Sequence, residues 1–194
     1  MARSRKIRNE EVLDIVADLL ARDGPAALTF QAAAAVTGLS AATLVQRFGT
    51  KQQLLQAALL RMWDALDALT AAADAAHAET ADGAIDLLVA LSAQHGAEPE
   101  GAAAGLLLLR EDFRDPVLRA RGAAWGEALG RALGRRLGTE RGPSDLGRMM
   151  ASQWQGAMLW WGFSREGTLD DHLRRELEQW RDAVLNRGGV RQGH

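Results

Sequence analysis

The chain has 194 residues, of which 47% are apolar and 25% charged, as expected for a soluble globular protein of one large domain or two small ones. It contains no cysteine, which excludes disulfides, thiolate metal sites and a cysteine nucleophile. The formal net charge is -2, yet residues 1–51 carry seven lysines and arginines against five acids, and the rest of the chain carries an excess of acid. Such an asymmetry fits either a solvated terminus or a surface that binds phosphates.

The amino-terminal part contains no segment typical of a membrane helix or an export signal. Residues 24–46 carry no charge and are long enough to span a bilayer, but Pro25, Gln31 and Gly38 interrupt an apolar helix there. The basic start is followed by Asp14 and Asp18, where a secretory signal would have its apolar core. We therefore expect a cytoplasmic protein without a membrane partner.

Helical periodicity begins after Asn9 and recurs along the chain, and no segment alternates as a strand does. The first predicted helix ends near Asp23, and its apolar stripe consists of Val12, Ile15, Val16, Leu19 and Leu20. Two shorter helices are predicted at Phe30–Val36 and Ala41–Phe48. Together with the first helix they predict a three-helix unit.

The two short helices are separated by a tight turn at residues 37–40. Thr29 and Ser40 are residue types that cap the amino termini of helices, and Gly38 can adopt the positive φ that such a turn requires. This arrangement is the helix-turn-helix motif, whose second helix enters the major groove of DNA. The small core of this motif is predicted to consist of Phe30, Leu39, Leu44 and Phe48.

From about Ile7 to Leu55 the sequence closely resembles the DNA-binding region of the TetR family of transcriptional repressors. The matching positions are Thr29, Ala34, Ala35, Gly38, Leu39, Ser40, Thr43, Leu44, Phe48 and Lys51. One position departs from the family pattern, since Val45 stands where the family usually has a tyrosine that supports the recognition helix and reaches a phosphate. The resemblance implies an operator-binding protein, and the departure puts one backbone contact in doubt.

The amino-terminal half of a recognition helix faces the edges of the bases. Gln46 could pair with adenine, and Arg47 with guanine or with a phosphate. By resemblance, Thr29 and Lys51 bind the DNA backbone, and the basic arm of residues 3–8 could follow a groove. The predicted DNA-binding residues are Thr29, Ser40, Ala41, Ala42, Thr43, Gln46, Arg47 and Lys51.

Residues 50–53 form a capping-box pattern that opens a long fourth helix. Five further helices are predicted at 82–95, 102–112, 116–137, 144–163 and 169–186, and Pro116 after Asp115 is the favoured start of one of them. We therefore expect an all-α chain of about nine helices. We place a helix-turn-helix DNA-binding domain at residues 1–50 and a helical domain for effector binding and dimerisation at residues 51–194.

The last two predicted helices have an unusual composition. Residues 149–164 carry no charge and are apolar around most of the helix, which predicts burial on more than one side. In TetR-like proteins these helices supply a four-helix dimer interface, although both could also pack within one chain. The predicted interface residues are Gly156, Leu159, Phe163, Leu173, Leu177, Trp180 and Val184.

The resemblance also implies a cavity among the carboxy-terminal helices for a small effector. Methionine and tryptophan suit an adaptable, mostly apolar pocket, although packing in the core is the alternative for each of them. The predicted effector residues are Leu107, Phe113, Trp125, Met150, Trp154, Met158 and Trp161.

Catalysis has little support in the sequence. His172 and Glu176 are one helical turn apart, but a charged helix face explains them better than a metal site, and no phosphate-binding loop, zinc motif or nucleophile elbow occurs. We expect neither an enzyme nor a cofactor or metal. The preferred interpretation is a homodimeric repressor that a small apolar molecule releases from a partly palindromic duplex operator. The alternatives are a helical small-molecule-binding protein or enzyme without a DNA-binding role, and a helix-turn-helix protein that acts through a protein partner.

Overall fold

The computed structural model describes residues 7–93, 99–138 and 143–185, which form nine α-helices, one 3-10 turn and no strand. The helices are α1 (Asn9–Asp23), α2 (Phe30–Thr37), α3 (Ala41–Phe48), α4 (Lys51–Ala76), α5 (Ala81–Ser92), α6 (Pro99–Arg114), α7 (Pro116–Leu137), α8 (Pro143–Ser164) and α9 (Leu169–Leu185). The predicted all-α class is confirmed. The bounds of the two short helices agree with the sequence pattern to within one residue.

The chain packs as two compact units, each discontinuous in sequence. The first comprises Met1–Leu66 and Glu100–Gly122, and the second comprises Asp67–Pro99 and Ala123–His194. The amino-terminal half of α4 and most of α6 thus pack with α1–α3. The boundary between functional domains that we place after residue 50 remains a prediction. The boundaries between the two packing units lie elsewhere, after Leu66, Pro99 and Gly122.

The core of the first unit is broader than the predicted cluster of four residues. Leu44 is fully buried, whereas Phe30, Leu39 and Phe48 are only partly buried and pack against the edge of the core. The buried apolar side chains of this core are Val12, Val16, Leu19, Leu20, Leu28, Ala33, Leu44, Leu54, Leu55, Ala58, Leu59, Leu108 and Leu118. Because Leu108 and Leu118 belong to α6 and α7, these helices complete a core that the first four helices leave open.

Polar contacts reinforce this packing of α4 against the corner between α6 and α7. The indole Nε1 of Trp63 donates to Asp112 Oδ1 at 3.0 Å, and Gln56 Nε2 donates to Asp115 Oδ2 at 2.7 Å. A Cβ atom on Gly122 would lie 3.1 Å from the Trp63 ring, so a larger residue there would crowd the indole. Asp115 also caps α7, as the sequence predicts, because its Oδ1 accepts from the backbone N–H groups of Val117 and Leu118.

In the second unit, α5 is the most deeply buried helix, with Ala84, Ile85, Leu87, Leu88 and Leu91 all at 1% exposure or less. Helix α9 packs against both α5 and α8. Helices α7 and α8 approach so closely that a Cβ on Gly147 would lie 1.9 Å from the carbonyl oxygen of Gly130. Only glycine fits position 147 at this crossing.

A buried guanidinium closes the carboxy-terminal end of α4. The Arg136 side chain is fully buried, pairs with Asp74 Oδ1 at 2.5 Å, and donates to the carbonyl oxygens of Asp74, His77 and Ala78 at 2.8 to 3.0 Å. These carbonyls lie at the end of α4, where no following helical turn supplies donors. A cation at this position also interacts favourably with the helix dipole.

Candidate DNA-binding surface and effector region

The turn between α2 and α3 has the geometry that the sequence predicts. Thr29 Oγ1 accepts from the N–H of Ala32 at 2.9 Å, and Ser40 Oγ accepts from the N–H of Thr43 at 3.1 Å. Gly38 has a φ of 70°, in the left-handed region that glycine adopts without strain. Both helices of the motif are therefore capped by their own preceding residue.

Helix α3 buries one side and exposes the other. Leu44 is fully buried and Phe48 is half-buried, whereas Ala42 and Gln46 are exposed. At 100° per residue, Ala42 and Gln46 stand opposite Leu44 and Phe48, so they form the outermost ridge of the helix. Two of the predicted base-reading residues thus occupy the surface that a major groove would meet.

The other predicted residues of α3 lie on the flanks of this ridge. Ala41 and Thr43 are half-buried, and the hydroxyls of Ser40 and Thr43 are 2.8 Å apart, so they share a hydrogen bond. Arg47 is also half-buried, and its Nη1 donates to the backbone carbonyl oxygen of Ile7 at 2.8 Å. Val45, at the family tyrosine position, is 45% exposed, so its side chain meets solvent.

The two predicted backbone-binding residues are exposed at helix amino termini. Thr29 precedes α2, and Lys51 is the first residue of α4. The capping box that opens α4 is formed, since Thr50 N–H donates to Gln53 Oε1 at 2.9 Å and Gln53 N–H donates to Thr50 Oγ1 at 3.2 Å. Of the predicted basic arm, Arg3, Arg5 and Lys6 lie outside the described residues.

Several predicted effector residues meet in the core of the second unit. Trp125 and Trp154 are 6% and 2% exposed, and their ring centroids are 6.4 Å apart. Their indole nitrogens donate to buried hydroxyls, Trp125 to Thr70 Oγ1 at 3.0 Å and Trp154 to Ser92 Oγ at 2.7 Å. Sequence reasoning missed Thr70 and Ser92, whose only signal is a small hydroxyl residue on a largely buried helix face.

The other predicted effector residues divide into two groups. Met150 and Trp161 are buried, and Met158 is half-buried, with its sulfur 3.8 Å from Ser92 Oγ. Leu107 and Phe113, by contrast, belong to the first unit and are 49% and 64% exposed. That all seven residues line one cavity remains a prediction.

The predicted interface residues also separate by burial. Leu173 and Leu177 are fully buried within the chain, so the stripe of α9 packs against its own neighbours α5 and α8. The interface prediction is corrected for these two residues. Leu159 and Phe163 are exposed on α8, whereas the remaining three are half-buried: Gly156, Trp180 and Val184.

Among residues 7–93, 99–138 and 143–185, no three histidine or carboxylate side chains come together as metal ligands. Within the same residues, the Nε2 atom of His172 is buried without a hydrogen-bond partner. His172 and Glu176, one helical turn apart, belong to no group of metal ligands in this part of the chain. In the same described part of the chain, no helix combines the length and the apolar character needed to cross a membrane.

Comparison with known proteins identifies the amino-terminal domain. Residues 12–58, which extend from α1 into α4, match the profile of the bacterial regulatory proteins of the tetR family. A search of curated proteins gave no match. The match covers most of α1 and all of α2 and α3.

Solved structures extend the likeness to most of the chain. A proposed transcriptional regulator from Saccharomonospora viridis, in complex with choline, has a TM-score of 0.70 at 20% identity and covers 89% of this chain and 94% of its own. A TetR-family member from Streptomyces coelicolor A3 has a TM-score of 0.67 at 21% identity, over 89% and 98%. The multidrug binding protein EbrR in complex with malachite green has a TM-score of 0.65 at 20% identity, also over 89% and 98%. The chain therefore has an amino-terminal domain that matches the tetR family of bacterial regulatory proteins, and most of the chain has a fold similar to that of these regulators.

Proposed function

We propose that this protein is a homodimeric transcriptional repressor that binds a partly palindromic operator and is released from it by a small apolar molecule. The exposed ridge of α3 carries the proposal, because Ala42 and Gln46 stand outward from a helix-turn-helix whose helices are both capped. A carboxamide can pair with both N6 and N7 of adenine, and a methyl group can contact the methyl of thymine. Gln46 is therefore the principal base-reading residue of the proposal.

The phosphate contacts are assigned to Thr29 and Lys51. Each stands exposed at the amino terminus of a helix, where unpaired N–H groups and the helix dipole favour an anion. Such contacts fix the orientation of the protein on DNA but distinguish no sequence. Val45 offers no hydroxyl to a phosphate, so these two residues hold the flanks of the recognition helix without the usual tyrosine.

A two-fold dimer would place one recognition helix in each of two major grooves. Exposed apolar side chains on α8 support this assembly, since soluble monomers rarely expose so many large apolar residues on one helix. These side chains are Met149, Leu159, Trp160 and Phe163, which are 51%, 47%, 67% and 75% exposed. We assign the subunit contact to this face of α8.

The effector would bind in the core of the second unit, beside Trp125 and Trp154. Met158 adjoins the same hydroxyl as Trp154, and its flexible thioether can repack around a ligand. Related structures hold choline and malachite green, so ligands enter proteins of this fold. In one conformation of the dimer the recognition helices have the spacing of the operator, and in the other they do not. The effector dissociates the operator complex if it binds the second conformation more tightly than the first.

The decisive experiment is selection of bound sequences from a random duplex pool by the full-length protein. The selected sites should be partly palindromic, with half-sites about 10 base pairs or a multiple of that apart. Gln46→Ala should then relax the preference at one base pair per half-site, at a cost of about 1 to 3 kcal/mol. Lys51→Ala should weaken binding to all sequences alike and reduce the dependence of log K on log salt concentration by about 1.

Arg22→Ala is the matched control, because it removes an exposed charge of the first unit that Asp23 already neutralises. It should leave both the selected sequence and the affinity nearly unchanged. A wild-type protein that enriches no sequence and binds no duplex at low salt would refute the proposed function.

A further inference from the structure

Helix α6 exposes a group of apolar side chains in the first unit, away from the proposed DNA-contacting ridge of α3. Leu106, Leu109 and Phe113 are 55%, 39% and 64% exposed. Their spacing of three and four positions places them side by side on one face of the helix. Single exposed apolar residues are common on soluble proteins, whereas a contiguous group is typical of an interaction site. These three side chains form the α6 stripe.

The packing that holds α6 in the first unit uses other sides of the helix. Leu108 is buried in the core, and Asp112 Oδ1 accepts the indole N–H of Trp63 at 3.0 Å. At 100° per residue, Leu106 and Phe113 lie about 140° to 160° around the helix from Leu108. The core therefore fixes α6 while the stripe remains open to a partner.

Arginines border the α6 stripe. Arg110 is one helical turn from both Leu106 and Phe113, and Arg114 is one turn further along the same row. Both arginines are exposed. Arg119 brings a third guanidinium to the end of α6, because its Nη1 donates to the carbonyl oxygen of Phe113 at 2.8 Å. The apolar stripe thus has a cationic flank.

The acidic residues of the same segment are less exposed than its arginines. Glu111, Asp112 and Asp115 are all partly buried. Asp115 accepts hydrogen bonds from the amides at the start of α7, and Asp112 is bonded to the indole described above. The Glu111 side chain is only 17% exposed, and it lies 3.7 Å from Arg114, which is 64% exposed. The charge that this segment presents to solvent is therefore mainly positive.

This charge decides which occupant fits the surface. A second copy of the chain would bring the same patch to both sides of a two-fold interface, so arginines would oppose arginines. A nucleic acid would pair with the arginines but would leave the leucines and the phenylalanine without an apolar partner. A helix with apolar residues at i, i+3, i+4 and i+7 and carboxylates beside them complements both parts of the surface.

We propose that the α6 stripe and its arginines are the docking site for an acidic amphipathic helix of another protein. Phe113, the most exposed of the three apolar residues, is the central anchor. Arg110 and Arg114 pair with carboxylates one helical turn apart on the partner. This inference goes beyond the proposed function, because neither the proposed base-reading ridge nor the proposed effector site contains the α6 stripe.

Selection from a phage-displayed library of random peptides, each long enough for several helical turns, tests the proposal with the full-length protein as bait. The enriched peptides should combine apolar residues at helical spacing with glutamate or aspartate. Phe113→Ser should weaken binding of a selected peptide by at least about tenfold, as expected for a central anchor. Val36→Ser removes another exposed apolar side chain of the first unit and should leave this binding unchanged.

A charge reversal separates specific docking from simple apolar adhesion. Arg110→Glu combined with Arg114→Glu should weaken binding of the selected acidic peptide by at least about tenfold. The same variant should prefer a version of that peptide in which lysine replaces each acidic residue. Arg22→Glu reverses an exposed charge elsewhere in the first unit and should change neither affinity. Equal affinity of the doubly reversed variant for both peptides would overturn the proposal.

Other results would assign the surface to a different occupant or to none. If no acidic peptide that depends on Phe113 is enriched, the docking site is refuted. Binding to vesicles of equal parts phosphatidylserine and phosphatidylcholine that Phe113→Ser abolishes, without enrichment of acidic peptides, would make the surface a membrane contact instead. A change from dimer to monomer in Phe113→Ser, measured by sedimentation, would make it an interface between copies of the chain.

Discussion

Asp112 and Asp115 have pKa values shifted in opposite directions although they are only three positions apart. Burial raises the pKa of Asp112 above its ordinary 3.8, helped by the charge of Asp115 and opposed by the hydrogen bond from Trp63. Burial also acts to raise the pKa of Asp115, but hydrogen bonds from Gln56 and from the amides of Val117 and Leu118 outweigh it and lower the pKa. The ionised Asp112 carboxylate therefore destabilises the fold, whereas the ionised Asp115 carboxylate stabilises it.

The contribution of Asp112 to stability should be lost as pH rises. Because its folded pKa is raised, this contribution is complete below pH 3.8 and disappears as pH passes through the folded pKa. Asp112→Asn keeps an oxygen that can accept the indole N–H of Trp63, and it removes the buried charge. Urea unfolding should show the variant at least as stable as wild type at pH 7, with the difference vanishing in acid.

Asp115→Asn is the matched control and should show the opposite sign. Its folded pKa is lowered, so its contribution is present above pH 3.8 and is lost as pH falls through the folded pKa. The variant should be less stable than wild type at pH 7, because a neutral amide accepts hydrogen bonds more weakly than a carboxylate. If both variants lose stability to the same extent at pH 7, the inference that the two residues lie in opposite electrostatic environments is wrong.

Among the elements, α5 and α8 carry the contact on which the effector proposal depends, the hydrogen bond from Trp154 to Ser92. Choline and malachite green, the ligands of two structural neighbours, are the first compounds to test. A bound effector should raise the free energy of unfolding by about 2.7 kcal/mol at a concentration one hundred times its Kd. It should also change tryptophan fluorescence and weaken operator binding.

Trp154→Phe tests whether the effector binds at this contact, because it keeps an aromatic ring and removes the indole N–H. It should weaken effector binding severalfold and leave the operator affinity of the ligand-free protein within about twofold. Trp160→Phe changes an exposed tryptophan of the same helix and should not alter effector binding. An effector that binds Trp154→Phe as tightly as wild type would exclude this core as its site.

Local elements were the most predictable part of the structure. The caps at Thr29 and Ser40, the left-handed Gly38 and the Asp115 cap all depend on neighbours within three or four residues, so the sequence contains their cause. The burial of Leu173 and Leu177 depends on which helices pack together, and a single stripe fits a neighbour in the same chain as well as one in another. The contact between Arg47 and Ile7 joins positions forty residues apart and has no sequence signal.

At the scale of the whole molecule, the proposed dimer can now be tested without disturbing the core. Leu159→Arg combined with Phe163→Arg places charges on the exposed face of α8, outside the buried core. Sedimentation should give a dimer for wild type and a folded monomer for this variant, with operator affinity strongly reduced. The reduction follows because a single recognition helix reads only one half-site.

Leu177→Arg serves as the contrasting variant, since it buries a charge in the core and should unfold the second unit rather than dissociate a dimer. A wild-type protein that sediments as a monomer at micromolar concentration would refute the assembly. A dimer that persists in the doubly charged variant would move the interface to another surface.

The class of the molecule followed from the sequence more surely than its ligands did. The match of residues 12–58 to bacterial regulatory proteins of the tetR family agrees with the interpretation as a regulatory protein. Most of the proposed base-reading residues lie together on α3, a short helix that a periodic pattern can predict. The predicted effector residues were chosen by side-chain type from helices far apart in the sequence, and packing divides them between two units.

The discontinuous core of the first unit has a consequence for synthesis of the protein. Leu54, Ala58 and Leu59 leave the ribosome about sixty residues before Leu118, which covers the same core. At a translation rate of about 5 to 20 residues per second, this apolar face stays exposed for several seconds before Leu118 is made. The nascent chain therefore exposes this apolar face during that interval, and the first unit, although its amino-terminal helices are made first, completes its core only after α7 has begun to emerge.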